Sequence, residues 1–371
     1  MEILKIIVVA GARPNFMKVA PFLKRIAMHN VGGKSRAARI DARLVHTGQH
    51  YDEKMSEVFF RELGIPQPDI NLGVGSGSQA AQTAGVMTSF EPVCAKERPD
   101  WVVVVGDVNS TVACTLVCAK MGIRVAHVEA GLRSFDRTMP EEINRLVTDA
   151  LADLLLTPSE DANENLRREG ISEARIKLVG NMMIDSLIEN LPMSRQSGVL
   201  KQHQIEPDKF VFVTLHRPSN VDNRASLTAI MSELERLARS LPVVFPIHPR
   251  TRKMLGEFGI ATSRGKGLHL IEPLGYHDSL CLTENARLVF TDSGGLQEEA
   301  TYFHTPCLTL RPNTERPVTV TIGSNRLTNL EQMANDVDEC LNGPKRKGKV
   351  PPLWDGRAAK RTLDQILAAS K

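Results

Sequence analysis

The sequence is short of the features that mark several protein classes. Its 371 residues carry only six cysteines, Cys94, Cys114, Cys118, Cys281, Cys307 and Cys340. They are scattered, with no C-x-x-C pair and no His/Cys cluster, so no metal site is expected. Such usage fits a reducing compartment, and a cytoplasmic location is expected. Cys114 and Cys118 stand four apart in a helical run and read as small buried hydrophobes. Charge of one sign is also lacking, because the formal net charge is only +3. That is too little for a nucleic-acid footprint, although a local basic pocket stays open. No apolar run approaches membrane-spanning length, so no membrane partner is expected. The segment Ile6–Ala12 imitates a signal peptide by ending in small residues. Its apolar core is too short and its start too weakly basic, and a first β-strand is predicted instead. Gly75-Ser-Gly77-Ser-Gln-Ala80 fits the pattern G-x-G-x-x-A, yet no convincing strand precedes it. Nicotinamide binding is therefore rejected there, and no cofactor is expected.

What is present is a soluble globular composition, 42% hydrophobic and 24% charged, in a chain long enough for two domains. Short apolar runs alternate with longer helical segments, the pattern of parallel sheets covered by helices on both faces. In such sheets ligands bind beyond the carboxyl ends of the strands. Strand one, Leu4–Val9, ends on Gly11-Ala-Arg13-Pro14, with Pro14 placed to open a helix. Arg13 and Lys18 then lie near a helix N-terminus, where the dipole disfavours a cation unless an anion faces it. A solvated pair on the first turn reads equally well. Gly32 to Arg43 reads as a basic loop. Strand two, Arg43–His46, ends on Thr47-Gly48-Gln49-His50. Trp101–Val105 is the clearest buried strand and ends on Gly106-Asp107. Arg124–Val128 ends on Glu129-Ala-Gly131. A lone acid at a strand end is usually a cap, but Asp107 and Glu129 on adjacent strands beside Arg13 and Lys18 form a candidate site. Pro140-Glu141-Glu142 opens another helix, and Glu141 and Arg145 are spaced to pair at i, i+4.

The segment from Gly180 to about Gln204 reads as the crossing into a second half. There Phe210–Thr214 ends on His216-Arg217, and Val243–Ile247 ends on His248. The run Asn285–Phe290 leads into Thr291-Asp-Ser293-Gly294-Gly295-Leu-Gln-Glu298-Glu299. This is a strand-to-helix turn whose glycines let the backbone approach a ligand and whose helix N–H groups attract an anion. Glu298 and Glu299 fit either a plain dipole role or a ribose hydroxyl pair. The expected architecture is therefore α/β, with two doubly wound Rossmann-like domains facing a central cleft. Residues 1–178 form the first, 179–356 the second, and a terminal helix over 357–371 packs back on the first. A nucleotide-sugar suits such a cleft.

With these residues in view, the chain resembles the non-hydrolysing UDP-N-acetylglucosamine 2-epimerases over nearly its whole length. The resemblance rests on Gly11-Ala-Arg-Pro14, Thr47-Gly-Gln-His50, Gly106-Asp107, His127-Val-Glu-Ala-Gly-Leu-Arg133 and Pro140-Glu-Glu-Ile-Asn-Arg145. It rests equally on Gly180-Asn181, His216-Arg217, Thr291-Asp-Ser-Gly-Gly-Leu-Gln-Glu-Glu299 and Thr314-Glu-Arg-Pro317. Each is weak singly, and in this order they are specific. The resemblance implies a fold of GT-B type and inversion at C2 of UDP-GlcNAc to UDP-ManNAc. The reaction it implies is anti elimination of UDP followed by syn re-addition. It implies Asp107, Glu129, Glu141 and His216 as catalytic residues. Arg13, Ser293, Gly294, Gly295 and Glu299 match UDP contacts, with Glu299 on the ribose and Arg316 in the same site. Lys18, Gln49, His50, Arg145 and His248 match substrate-binding positions, or a second, activating UDP-GlcNAc in some bacterial members. A homodimer through first-domain helices is the family habit, and cell-envelope polysaccharide synthesis its usual setting. Two departures, Pro218-Ser219-Asn220 after His216-Arg217 and Ser279 where many members carry an aromatic, bear on the sugar variant. A 2-epimerase of a UDP-2,3-diacetamido uronic acid and a GT-B glycosyltransferase are the alternatives.

Overall fold

The computed structural model describes residues 2–31, 38–48, 61–260, 267–343 and 348–371, the side chains at 2, 13, 14 and 38 excepted. The chain divides into two compact units. Unit 1 holds residues 1–189 and 352–371, and unit 2 holds 190–351.

The sheet of unit 1 is wholly parallel and runs in the order β3-β2-β1-β4-β5-β6-β7. Its strands are β1 (Glu2–Ala10), β2 (Ala38–His46), β3 (Ile70–Asn71), β4 (Trp101–Val105), β5 (Arg124–Val128), β6 (Leu154–Thr157) and β7 (Ile176–Leu178). A parallel sheet covered on both faces wants continuous apolar strands. Trp101-Val-Val-Val-Val105 supplies one, buried at every residue. The order reverses direction between β1 and β4, which makes their carboxyl ends the crevice where ligands enter such folds.

Unit 2 repeats the plan with β8 (Val211–Thr214), β9 (Val243–Pro246), β10 (Leu268–Ile271), β11 (Leu288–Thr291), β12 (Cys307–Leu310) and β13 (Asn325–Thr328). Their order is β10-β9-β8-β11-β12-β13, again all parallel. Counted from β8, this is the same 3-2-1-4-5-6 winding, and the switch point falls between β8 and β11.

Two expectations change. The stretch read as a basic loop up to Arg43 is strand from Ala38 onward, paired residue for residue with β1. Its charges mislead because they alternate: Arg39, Asp41 and Arg43 face solvent while Ile40 and Leu44 are buried. Part of the predicted crossing is the helix Met182–Ser194. Its start belongs to unit 1, because Met182, Met183, Ile184 and Leu187 are buried and the Ser186 hydroxyl donates to Met17 O. Asp185 accepts the N–H groups of Ala358 and Ala359 at 3.0 and 2.7 Å and so caps the terminal helix Ala358–Ala369. The units therefore part at 189/190 and 351/352, whereas the sequence suggested 178/179 and 356/357. The terminal helix packs against the first helix, Arg13–Val31, within unit 1. Arg124 stacks over Trp101 at 4.6 Å and donates to Ala369 O.

Candidate active site

In unit 1 the polar groups gather at the ends of β1, β4 and β5. After β1 the chain turns at Gly11, where a Cβ would stand 2.3 Å from Ser110 Oγ. Asn15 fixes this turn. Its Oδ1 accepts the N–H groups of Gly11 and Ala12, each at 3.0 Å, and its Nδ2 donates to Val105 O. Arg13 opens the helix that follows. Its side chain, like Gln49 and His50, lies outside what is described.

After β4, Gly106 takes φ +68°, and a Cβ there would come within 3.1 Å of Lys18 Nζ. Asp107 follows, partly open to solvent, with Oδ2 accepting from Arg145 Nη1 at 2.5 Å. After β5, Glu129 holds φ +69°, an uncommon conformation for a residue with a side chain. Its carboxylate makes an ion pair with Lys18, and both are 4% exposed. Two buried charges persist only when they neutralise each other. The geometry thus brings Asp107, Glu129 and Lys18 to one edge of one sheet, as the sequence suggested.

The helix Pro140–Leu151 departs from expectation in one respect. Glu141 is exposed, and Arg145 is bound at i, i+3 by Glu142, with Nη2 to Oε2 at 2.5 Å. Burial raises the Glu142 carboxyl, but the Ser134 N–H and Arg145 outweigh it and hold the group below the usual range. Glu142 also accepts the N–H of Phe135, so it staples the 133–139 loop to the helix. The tertiary loop, rather than helical spacing, chooses which glutamate pairs. Arg145 is 2% exposed and spans Asp107, Glu142 and Ser134, which makes it a holder of Asp107.

In unit 2 the switch point carries His216 after β8 and Asp292 after β11. Asp292 is fully buried and accepts the N–H groups of His216 and Arg217 and the Asn220 amide, at 2.9–3.0 Å. Its Oδ1 is 3.0 Å from His216 Nδ1. Burial raises the Asp292 carboxyl, but His216 and the N–H donors hold it below its ordinary value. A carboxylate on Nδ1 fixes the ring and presents Nε2 outward, the arrangement of an oriented acid/base. The His248 ring centroid lies 5.7 Å from that of His216, and its Nδ1 accepts Arg250 N.

The helix Gly294–Phe303 begins after Ser293 with no side-chain cap, so the first N–H groups have no capping side chain. A Cβ on Gly294 would stand 2.6 Å from Arg316 Nη1 and 2.8 Å from Glu315 Oε1. Behind the turn is a buried ionic chain. Glu298 pairs with Arg316 Nε at 2.9 Å, Arg316 with Glu315, and Glu315 with Arg311 at 2.8 Å. Burial raises the Glu315 carboxyl, but Arg316 and Arg311 hold it well below the usual range. Glu299 goes the other way: burial and then the Glu298 charge push it up to about 8, against a hydrogen bond from Tyr276. Glu142, Asp292 and Glu315 build the site without a local signal of their own, and Glu298, read for the helix dipole or a ribose, pairs with Arg316. Asp292, inside the Thr-Asp-Ser-Gly-Gly stretch, comes nearest to having one, since it directly precedes the anion turn. Among the described residues no group of three or more His, Cys, Asp or Glu could hold a metal, and no helix is long and apolar enough to cross a membrane.

The family described as UDP-N-acetylglucosamine 2-epimerase matches residues 34–367. A UDP-N-acetylglucosamine 2-epimerase of Methanocaldococcus jannaschii is 41% identical over 99% of this chain and 100% of its own. The crystal structure of that organism's UDP-GlcNAc 2-epimerase in complex with UDP-GlcNAc and UDP superposes with a TM-score of 0.88, covering 99% of this chain and 100% of the other. A UDP-2,3-diacetamido-2,3-dideoxy-D-glucuronate 2-epimerase of Pseudomonas aeruginosa is 39% identical over 87% of this chain and 88% of its own. On a family match over most of the chain and a relative 41% identical over 99% of it, this chain belongs to the UDP-N-acetylglucosamine 2-epimerase family.

Proposed function

We propose that the protein is a non-hydrolysing epimerase that converts UDP-GlcNAc to UDP-ManNAc. The observation that carries this reading is the 41% identity to an epimerase over the full length of both chains. The C2 proton of the intact substrate is not acidic, so the reaction proceeds by elimination. A carboxylate removes the C2 proton, the C1–O bond breaks, and UDP departs to leave 2-acetamidoglucal. UDP oxygen then re-forms the bond to C1 while a proton is delivered to the opposite face of C2. Asp107, Glu129 and Glu141 supply the acid and base groups. Lys18 neutralises Glu129 and Arg145 orients Asp107, a positioning role in place of direct substrate contact. His216, oriented by Asp292, serves the departing oxygen. The uncapped turn at Ser293, Gly294 and Gly295 holds the diphosphate, assisted by Arg13 and Arg316, and Glu299 takes the ribose hydroxyls. Gln49, His50 and His248 complete the binding set.

A second reading, action on a UDP-2,3-diacetamido uronic acid, is favoured by the 39% identity to the Pseudomonas aeruginosa enzyme. Proton NMR with UDP-GlcNAc in deuterium oxide separates the two. Deuterium entering C2 as UDP-ManNAc forms establishes the first. An unchanged spectrum, with turnover of the diacetamido substrate, establishes the second. Free ManNAc and UDP would refute a non-hydrolysing enzyme. Ile143 and Leu151, eight apart on one helix and 38% and 39% exposed, support pairing with a second copy through this face. Light scattering tests the dimer, and a monomer would refute it. A cytoplasmic setting accords with the cysteines, which carry no disulfide. The product would supply cell-envelope polysaccharide synthesis.

A further inference from the structure

His127 lies inside β5, fully buried, and both of its ring nitrogens are engaged. Nδ1 is 2.6 Å from Asp149 Oδ1, and Nε2 is 2.8 Å from Gly106 O. A carbonyl oxygen can only accept, so Nε2 carries a proton. Asp149 is a carboxylate: its Oδ2 already takes Arg133 Nη1 at 2.7 Å and the Gly131 N–H at 3.0 Å. An ionised carboxylate can only accept, so Nδ1 carries a proton as well. The ring therefore donates twice. Around it stand Asp149 from the helix Pro140–Leu151, Arg133 from the loop after β5, and Glu169, which binds Arg133 through both oxygens at 2.7 Å.

The two contacts reach the two acids of the site. Gly106 O belongs to the peptide that leads into Asp107. Three consecutive carbonyls there are each bound by a side chain from a different element. Val105 O takes Asn15, Gly106 O takes His127, and Asp107 O takes Asn144, at 3.0, 2.8 and 2.8 Å. On the other side, Asp149 grips Gly131 N–H, two residues beyond Glu129, whose backbone is held at φ +69°. One buried imidazole thus joins the two turns that present the acids.

We infer that His127 is held as an imidazolium, protonated on both nitrogens, and that in this state it is the positioning residue that sets Asp107 and Glu129 for proton transfer at C2. The inference rests on the reading of Asp107 and Glu129 as the C2 acid/base groups. A neutral ring would keep one of its two bonds and release the other turn. Misplacement of a catalytic group by about 1 Å costs roughly 10²-fold in rate.

The test is nitrogen NMR of the whole enzyme with ¹⁵N-histidine. One ring should show protons on both nitrogens, and its signals should vanish in His127→Asn. In Asp149→Asn the same ring should lose one proton. Turnover in His127→Asn should fall roughly 10²-fold with KM within about threefold. A single-protonated His127 ring in the wild-type enzyme overturns the proposal, and that result does not depend on whether a variant folds. Folded His127→Asn with wild-type turnover overturns it too. Full turnover in Asp107→Asn would instead overturn the role given to Asp107 while leaving the imidazolium signature in place.

Discussion

The two units share one winding and use their switch points differently. In unit 1 the strand ends present side chains: Asp107 tethered by Arg145, and Glu129 tethered by Lys18. In unit 2 the strand end after β11 presents backbone, and the charges are withdrawn behind it into the Glu298–Arg316–Glu315–Arg311 chain. Under the proposed roles, proton transfer uses acids held in place by cations, and anion binding uses fixed N–H groups. The difference teaches that one winding can carry two kinds of strand end, side chains in one unit and backbone in the other, and the proposed function gives each its own task.

The strongest way to break this comparison is to remove chemistry from unit 1. Asp107→Asn or Glu129→Gln should lower turnover by about 10²–10⁴-fold, with UDP affinity within about threefold of wild type. Steady-state kinetics beside UDP calorimetry reads both. Next comes unit 2. Gly294→Ala puts a methyl against Arg316 and Glu315, an overpacking cost of about 1–3 kcal/mol. UDP binding should weaken by roughly 10- to 100-fold, and C2 exchange at saturating substrate should fall less. A smaller effect follows from Asp292→Asn, which removes the orienting charge from His216. Turnover should drop by about tenfold, more than affinity does.

The smallest effect sharpens the picture of Glu299. Its carboxyl is raised to about 8 by burial and the Glu298 charge. A carboxyl raised in the folded state binds its proton more tightly there than when unfolded. Stability is therefore greatest below the ordinary carboxylate range and falls as pH rises toward about 8. Thermal melts should show this slope, and Glu299→Gln should flatten it. If Glu299 accepts ribose hydroxyls as a carboxylate, UDP binding at neutral pH should release a proton. Calorimetry in buffers of different ionisation enthalpy detects that release, and proton-neutral binding would remove Glu299 from the ribose.

Much of this was legible in the sequence. Continuous apolar runs such as Trp101–Val105 read directly as buried parallel strands, and strand ends named Asp107, Glu129, His216 and the Ser293–Gly295 turn. The obscured parts have physical causes. β2 looked like a loop because one face of an outer stretch carries Arg39, Asp41 and Arg43, and charge masked the period of two. Arg145 could pair at i+3 or i+4, and only the loop at Ser134 and Phe135 decides for Glu142. His127 and Asp149 are 22 residues apart on a strand and a helix, a pairing that no local pattern reports. The same holds for Asp292 and His216, which adjacent strand ends bring together.

The most direct measurement takes one sample of Asp107→Asn and records C2 deuterium exchange and UDP affinity side by side. The account predicts that exchange is lost while UDP binds as it does to the wild-type protein. Equal losses in both, or exchange that persists at the wild-type rate, would contradict the assignment of proton chemistry to unit 1.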